Sequence, residues 1–350
     1  MILKIAIYLF LAIFAFFCLI SPSFAQTKFA HAGEYITYMT NQQREILKNH
    51  MAYTSAVAHQ KSAKKIEQKR KDLINSNLQA QKNIANLPPY NNDIALRDST
   101  VAFLKLAYLI LIEDYAKIIN LEEVAEQSYD AMEAYLLAQD LAAEKLKQAN
   151  DRLQNQVKVF AAKNNVRLVE AEKDDLSKKI EISNKVAAYY REVFLLFFKC
   201  SNQERYLIEA INRRDLSAFS QSQSVLSKYT TENLAKLAQV KPFNGDNTLV
   251  EACRKALLFY QKECKEYAPL VQNYWLKQDD FEKVKKNLEA KGNQTNQEDV
   301  NQYNKMVNEI NTITKQYNDS SNTMNKQRTE IINAWNTASN AFYAKHIPKY

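Results

Sequence analysis

Histidine is the side chain best suited to acid–base catalysis near neutral pH, and the chain contains only four, at positions 31, 50, 59 and 346. None of them follows a glutamate by three residues, and no His-Glu-x-x-His segment occurs. The ligand sets of di-iron bundles and zinc proteases are therefore not indicated. His59 alone lies well inside a patterned segment, on its apolar side, and we interpret it as a hydrogen-bonded core histidine.

Paired carboxylates can do the same work without histidine, but the 39 acidic residues form pairs throughout the chain and single out none. The three glycines are too few for a phosphate-binding loop or a dinucleotide fingerprint. The sequence therefore predicts no catalytic residue, no metal site and no cofactor, and we expect a protein that is not an enzyme.

The cysteines carry a second kind of chemistry. Cys18 lies in the N-terminal apolar stretch, which leaves Cys200, Cys253 and Cys264. Cys253 and Cys264 are too far apart along one predicted helix to bridge each other. The favoured interpretation is three small buried side chains, although a disulfide from Cys200 to either of the other two stays open.

The densest charge feature is a basic segment, defined by Lys61, Lys64, Lys65, Lys69 and Lys71, in a chain of net charge +8. Such a run is most often the solvated face of a helix. It could also attract an anionic partner, such as lipid headgroups or a polysaccharide. Nucleic acid is not expected as a partner, because the N-terminus predicts export.

Residues 1–25 have the pattern of a cleaved signal peptide. Lys4 precedes the apolar stretch, and Ser23 and Ala25 supply small residues before a cleavage site at Gln26. Phe16 and Phe17 stand before Cys18, where a lipoprotein signal needs small residues. We therefore expect an exported protein, either periplasmic, associated with the outer membrane or secreted, and not a lipoprotein.

Apolar residues recur at helical spacing along most of the chain, and the low glycine count disfavours the turns of a β fold. The predicted class is an all-α bundle of long helices. Helical segments are expected at about 40–87, 93–112, 121–163, 174–212, 215–240 and 248–288, and Pro269 is expected to kink or split the last of these. A last helical region begins at a capping box formed by Thr295 and Glu298 and is interrupted at 318–322.

Two predicted corners between helices share one pattern, Pro-aromatic-Asn-x-Asp. Residues 153 positions apart match there and in the flanking helices, for example Leu73 with Leu226 and Leu104 with Leu257. This favours an internal duplication, with one helical unit over 26–165 and a second over 166–350. The residues assigned to the two structural corners are Pro89, Asp93, Pro242, Gly245 and Asp246.

Several segments resemble an uncharacterised family of exported bacterial surface proteins. The residues that carry the resemblance lie at 58–65, 70–73, 128–135 and 160–162. The resemblance implies an all-helical exported protein, and it brings no activity, cofactor or functional residue.

The leading hypothesis is a non-enzymatic bundle that binds an envelope partner or serves as a structural component of the bacterial envelope or surface. The alternative is a membrane-active protein, of the lipid-binding or pore-forming type, because of the apolar bands at 101–112 and 186–198. A third reading is an enzyme with a groove lined by tyrosines and carboxylates.

Overall fold

The computed structural model describes residues 29–119, 129–169 and 174–350. In these three ranges every regular element is a helix and no strand is present. The predicted all-α class is therefore confirmed. The predicted signal peptide lies outside the described residues.

Among the described residues, four helices make up what we call the first unit, and each is long enough to bury one face against its neighbours. Their bounds are α1 Ala32–Ala58, α2 Ala63–Ala85, α3 Ala95–Ile119 and α4 Tyr129–Lys163. Along the chain, α1 packs on α2, α2 on α3 and α3 on α4.

Five helices make up the second unit. Their bounds are α5 Asp175–Arg213, α6 Leu216–Leu237, α7 Thr248–Lys262, α8 Ala268–Lys291 and α9 Gln297–His346. A π-helical turn over Glu263–Tyr267 joins α7 to α8, and a 3₁₀ turn over Gly292–Gln294 precedes α9. The 50 residues of α9 span roughly 75 Å, so this helix contacts α5, α7 and α8.

Two buried apolar clusters form the cores. One is drawn from the first unit and includes Tyr35, Ile84, Leu96, Leu104 and Phe160. The other is drawn mainly from the second unit, and Met51 and Ala58 at the C-terminal end of α1 also belong to it. The division of the chain into units 26–165 and 166–350 stays a prediction.

The helix predicted over 40–87 is in fact two helices. The first begins at Ala32, where the His31 side chain accepts a hydrogen bond from the Glu34 amide. The chain then breaks at His59–Ser62, because Gln60 adopts a left-handed backbone with φ of 50°. No glycine or proline marks this break, which is why periodicity alone missed it.

In the second unit, two predicted capping residues and one predicted helix interruption were also wrong. Asn296, not Thr295, forms the capping box before α9, with Asp299 as its partner. Thr248 is the first residue of α7 rather than its cap. The interruption predicted at 318–322 is absent, since α9 runs through these residues without a break.

Candidate functional sites

The first predicted corner is a tight turn between α2 and α3. The backbone amides and carbonyls of Tyr90 and Asp93 bond to each other across it, at 3.1 and 2.9 Å. Between them, Asn91 and Asn92 both have positive φ, 50° and 60°, the geometry of a type I′ turn. The Asp93 carboxylate then accepts the Ala95 amide at 2.9 Å, which starts α3. Pro89 lies just before this turn, after the end of α2.

The second corner repeats this geometry between α6 and α7. Phe243 and Asp246 exchange two backbone hydrogen bonds, at 3.0 and 2.9 Å. Asn244 and Gly245 supply the positive φ values, 49° and 81°. The Asp246 carboxylate accepts the Thr248 amide at 2.9 Å. Pro242 precedes it, so all five predicted corner residues lie at the two turns.

Aromatic rings from α1 and α4 pack against the first corner. Tyr35 of α1 lies 5.5 Å from the Tyr90 ring and 5.6 Å from Phe160 of α4, measured between centroids. The Tyr35 hydroxyl donates to the Pro88 carbonyl at 3.1 Å. Lys163, at the end of α4, reaches the Asp93 carboxylate at 3.0 Å. The corner is thus tied to the ends of two other helices.

Equivalent contacts hold the second corner. Tyr189 of α5 lies 5.1 Å from Phe243 and 5.5 Å from Phe342 of α9, and its hydroxyl donates to the Lys241 carbonyl at 3.0 Å. Lys345 bonds to Asp246 at 2.7 Å, three residues after Phe342, just as Lys163 follows Phe160. His346 adds a second contact to the same carboxylate at 2.9 Å.

The Asp246 carboxylate is nearly buried. Burial acts to raise its pKa, but hydrogen bonds from Lys345, Thr248 and His346 outweigh this and hold the pKa well below its usual range. The corners therefore join and orient helices. Neither corner brings together a nucleophile and a base.

The basic segment lies at the break between α1 and α2. Lys61 is in the connection, and Lys64 and Lys65 are exposed in the first turn of α2. Lys69 and Lys71 lie further along the helix, within 3.5 Å of Asp72 and 3.7 Å of Glu67, respectively. The structure therefore concentrates the three other lysines around one helix start.

The N-terminus of α2 is unusual in its electrostatics. Its N-cap, Ser62, makes no side-chain capping bond, and its first turn holds no acidic residue. A helix N-terminus carries a partial positive charge, so nearby lysines are unfavourable there. By contrast, Asp215 at the start of α6 accepts the Ala218 amide at 3.0 Å. The start of α2 is thus the more electropositive of the two.

A buried ionic cluster lies in the middle of the second unit and was not predicted. It is formed by Glu204 of α5, Glu263 of the π-helical turn and Arg328 of α9. The Arg328 guanidinium bonds to both carboxyl groups. Glu263 is fully buried and Glu204 is 6% exposed. Three segments far apart in the chain therefore meet at one cation.

One guanidinium cannot balance two buried carboxylates, so one carboxyl group keeps its proton. Burial and the neighbouring Glu204 raise the pKa of Glu263 to about 8, against the lowering effect of Arg328. Burial also raises the pKa of Glu204. The Oε2 atom of Glu263 has no hydrogen-bond partner, and the neighbouring Glu204 carboxyl group favours the protonated form of Glu263 and raises its pKa. We therefore assign the proton to Glu263.

The two carboxyl groups of the cluster are closed to solvent, whereas the Arg328 side chain is 19% exposed. Tyr260 is fully buried, and Tyr267 bonds to Ser321 of α9 at 2.8 Å. None of the three ionic residues lines any of the described cavities. A sequence signal did exist, because Glu204 lies between Cys200 and Leu207 at helical spacing, on an otherwise apolar face.

A polar groove of about 310 Å³ does open between α5 and α6. Tyr206, Glu209, Arg213 and Asp215 are among its lining residues. Glu209 pairs with Arg205 at 2.5 Å, and Asp215 caps α6. Both carboxylates already have cationic or amide partners, so the groove presents no acid–base pair.

The three cysteines described by the structure are free thiols and all are buried. Asn233 donates to the Cys200 sulfur at 3.5 Å. Burial raises the pKa of Cys200 and of Cys264 to about 12 and shifts that of Cys253 upward as well. The interpretation of these residues as small core side chains is confirmed, and Cys200 pairs with neither of the others.

His59 is not the core histidine that its wheel position suggested. It is the C-cap of α1, it is half-buried, and its Nε2 atom has no hydrogen-bond partner. The apolar side of the predicted helix ends there, because the chain leaves the helix at the next residue. Among the described residues, no group of three His, Cys, Asp or Glu side chains could hold a metal ion.

Comparison of the chain with protein-family models, with curated proteins and with solved structures finds no match. The resemblance to exported surface proteins therefore stays a prediction, and function has to be argued from the residues.

Proposed function

We propose that the protein is an exported, non-enzymatic helical bundle that acts as a binding or structural component of the bacterial envelope or surface. The observation that carries the proposal is the placement of its most unusual polar groups. Glu204 and Glu263 are buried, Arg328 of α9 bonds to both of them, and none of the three lines a described cavity. Their geometry suits locking helices together rather than meeting a substrate.

Export rests on the N-terminal sequence. The Lys4 start, the apolar stretch and the small residues Ser23 and Ala25 support cleavage before Gln26. Three buried thiols without a disulfide are compatible with an oxidising compartment, because buried protonated thiols react slowly.

The two corners support an internal duplication as the architecture of this bundle. In each corner, two successive residues have a left-handed backbone. A tyrosine hydroxyl donates to the carbonyl before the proline, and a lysine bonds to the aspartate. Helix-stop chemistry alone accounts for the proline and aspartate. It does not account for rings and lysines contributed by distant helices.

The binding face that we favour is the electropositive start of α2. Lys61, Lys64 and Lys65 surround a helix N-terminus that lacks an acidic residue. An anionic envelope polymer or an acidic protein surface would supply the missing negative charge. Contact at such a face is expected to weaken as salt rises.

Fractionation and binding test the proposal in turn. A tagged full chain should appear outside the cytoplasm at the mass of residues 26–350, and Ala25→Trp should block cleavage. An uncleaved chain in the cytoplasm would overturn export. The mature chain should then bind immobilised native envelope in low salt, and Lys61→Gln with Lys64→Gln and Lys65→Gln should weaken that binding. Lys283→Gln, an exposed lysine on α8, is the matched control.

One observation favours the membrane-active alternative. Leu109 of α3 and Leu137 and Leu141 of α4 are each more than half exposed, so part of the apolar band at 101–112 faces outward. The other band is largely inward-facing, with Val186, Val193, Phe197 and Phe198 buried. No described helix is long and apolar enough to cross a bilayer.

Vesicle flotation separates the two functions. A membrane-active chain should float with phosphatidylglycerol vesicles at low salt, and Leu109→Gln with Leu137→Gln should abolish flotation. Leu258→Gln, which changes an exposed leucine of α7, should have no effect. Absence of flotation at low salt excludes this alternative.

A further inference from the structure

A small cavity of about 140 Å³ lies inside the first unit, between α1, α3 and α4. Its lining is mixed: Met39, Leu96 and Leu153 are each no more than 3% exposed, and the polar residues Thr40, Gln43, Thr100 and Gln154 line it as well. Gln43 of α1 lines the same cavity and is half-buried. Apolar side chains combined with a small number of polar groups are the usual composition of a small-molecule site.

The matching position in the second unit is filled by side chains. The ring contacts at the corners set the register of the helices: Tyr35 and Tyr189 occupy matching places, as do Phe160 and Phe342. Gln43 follows Tyr35 by the interval at which Phe197 follows Tyr189. This comparison needs only the matched contacts and does not depend on common ancestry.

Leu153 precedes Phe160 by the interval at which Trp335 precedes Phe342. In the second unit, the counterparts of Gln43 and Leu153 form a ring stack. Phe197 and Trp335 lie 4.2 Å apart between centroids, with 10° between their planes, and both are buried. The first unit therefore has an amide and an aliphatic side chain where the second has two stacked rings, and it has a cavity there.

We propose that this cavity binds the ring of a small, single-ring aromatic compound. Apolar cavities of roughly 150 Å³ hold one benzene ring, so the volume suits a single ring and not two. The thioether of Met39 favours contact with an aromatic edge. The Gln43 amide lies where it can bond to a polar substituent on the ring. The site gives the protein a small-molecule ligand and is independent of the proposed envelope role.

The route into the cavity is set by Leu153. This side chain also lines a larger, open groove of about 680 Å³ between α3 and α4, together with Phe103 and Leu106. Leu153 therefore stands between the groove and the cavity. A rotation of its side chain admits a ring from the groove, and apolar substituents on the ligand extend back along Phe103 and Leu106.

The test uses the mature chain with benzene and indole as probes, followed by methyl NMR and calorimetry. Benzene should bind at one saturable site, with the largest shifts at the methyl groups of Met39, Leu96 and Leu153. Gln43→Phe with Leu153→Trp, which copies the second unit, should weaken binding at least tenfold. Unchanged binding in this variant, or no saturable binding up to the solubility of benzene, overturns the proposal.

Two further variants keep the test decisive if the filled variant does not fold. Leu153→Ala enlarges the cavity and should make it accept indole, with shifts at the same methyl groups. Trp335→Ala opens the matching space in the second unit, so indole should raise the Tm of this variant and bind there. Indole that shifts no first-unit methyl group in Leu153→Ala contradicts the assigned site.

Discussion

Glu204 of α5 lies against Glu263 of the π-helical turn, and the Arg328 guanidinium contacts both. The pair joins the C-terminal half of α5 to the junction of α7 and α8, and Arg328 adds α9. Removing one partner of a buried ionic group leaves an uncompensated charge, which costs more than the group contributes when intact. The cluster should therefore be more sensitive to single substitutions than its net contribution to stability suggests.

Arg328→Met should lower the free energy of unfolding by about 3–5 kcal/mol. The loss arises because two carboxyl groups then remain buried without a cation. Urea denaturation followed by circular dichroism measures it. Lys315→Met, which breaks an exposed pair with Asp319 on the same helix, should have no measurable effect. Equal stability of the two variants would show that the buried cluster does not hold the three segments together.

The protonated carboxyl of Glu263 predicts a pH dependence. Its pKa is about 8 in the folded chain and about 4.3 when unfolded, so the folded state binds the extra proton. The resulting stabilisation is fully present below about pH 4 and is lost as pH rises through about 8. The free energy of unfolding should fall by at most about 1.4 kcal/mol per pH unit across this window.

Glu263→Gln isolates this contribution, because glutamine copies the protonated carboxyl and does not titrate. The groups facing Glu263 are Glu204, Arg328, Tyr260 and Cys264, and they are kept in the variant. The free energy of unfolding of the wild type, relative to that of the variant, should fall as pH rises from 5 to 9. A constant difference would mean that Glu263 is ionised throughout.

Much of the helical architecture followed from sequence pattern. The starts of α5 and α6 were predicted from Asp174 and Asp215, whose carboxylates do cap these helices. Both corners were predicted because their proline, asparagine, glycine and aspartate residues have strong local preferences. Local chemistry of this kind acts within a few residues, so a single sequence reveals it.

Features that depend on distant contacts were not predicted. The break at Gln60 was missed although it is local: the amides of Gln60 and Lys61 bond to the carbonyls of Val57 and Ala56, which closes α1 with a left-handed residue where glycine is usual. The asparagines at 318–322 have only weak helix-breaking preference, and packing keeps α9 continuous through them. Glu204, Glu263 and Arg328 come together only when three segments fold, and acidic residues are ordinarily expected at the surface.

The uncapped start of α2 predicts a stabilising substitution. Ser62→Asp should place a carboxylate where Asp215 caps α6, and should raise the free energy of unfolding by about 0.5–1 kcal/mol. Part of the gain comes from the nearby Lys64 and Lys65, so it should shrink in high salt. Ser62→Ala is the matched control, and it should be close to neutral because Ser62 makes no capping bond.

The left-handed turn of the second corner can be tested at Gly245. No heavy atom lies within 4 Å of a Cβ built there, so the cost of a side chain comes from the backbone conformation alone. Gly245→Ala should destabilise the chain by about 1–2 kcal/mol. Gly245→Asn should cost less, because Asn92 occupies the matching place in the first corner with positive φ. Equal costs for both variants in thermal unfolding would argue against the shared turn geometry.

The last prediction concerns the thiols. The exported chain should contain three titratable cysteines if Cys18 is removed with the leader, and four if it is not. Because Cys200, Cys253 and Cys264 are buried and their protonated form is favoured, a disulfide reagent should react with none of them quickly at neutral pH. In denaturant all should react at once.

Arg328→Met should speed native-state labelling of Cys264, since this residue follows Glu263 in the π-helical turn. Cys200→Ser is expected to remove one slow thiol and leave the other two unchanged. Rapid labelling of the wild-type native chain would show that the core of the second unit opens more easily than its ionic lock and packing imply. A thiol count of one in denaturant would reveal a disulfide in the isolated protein, and with it a different arrangement of α5 and α7.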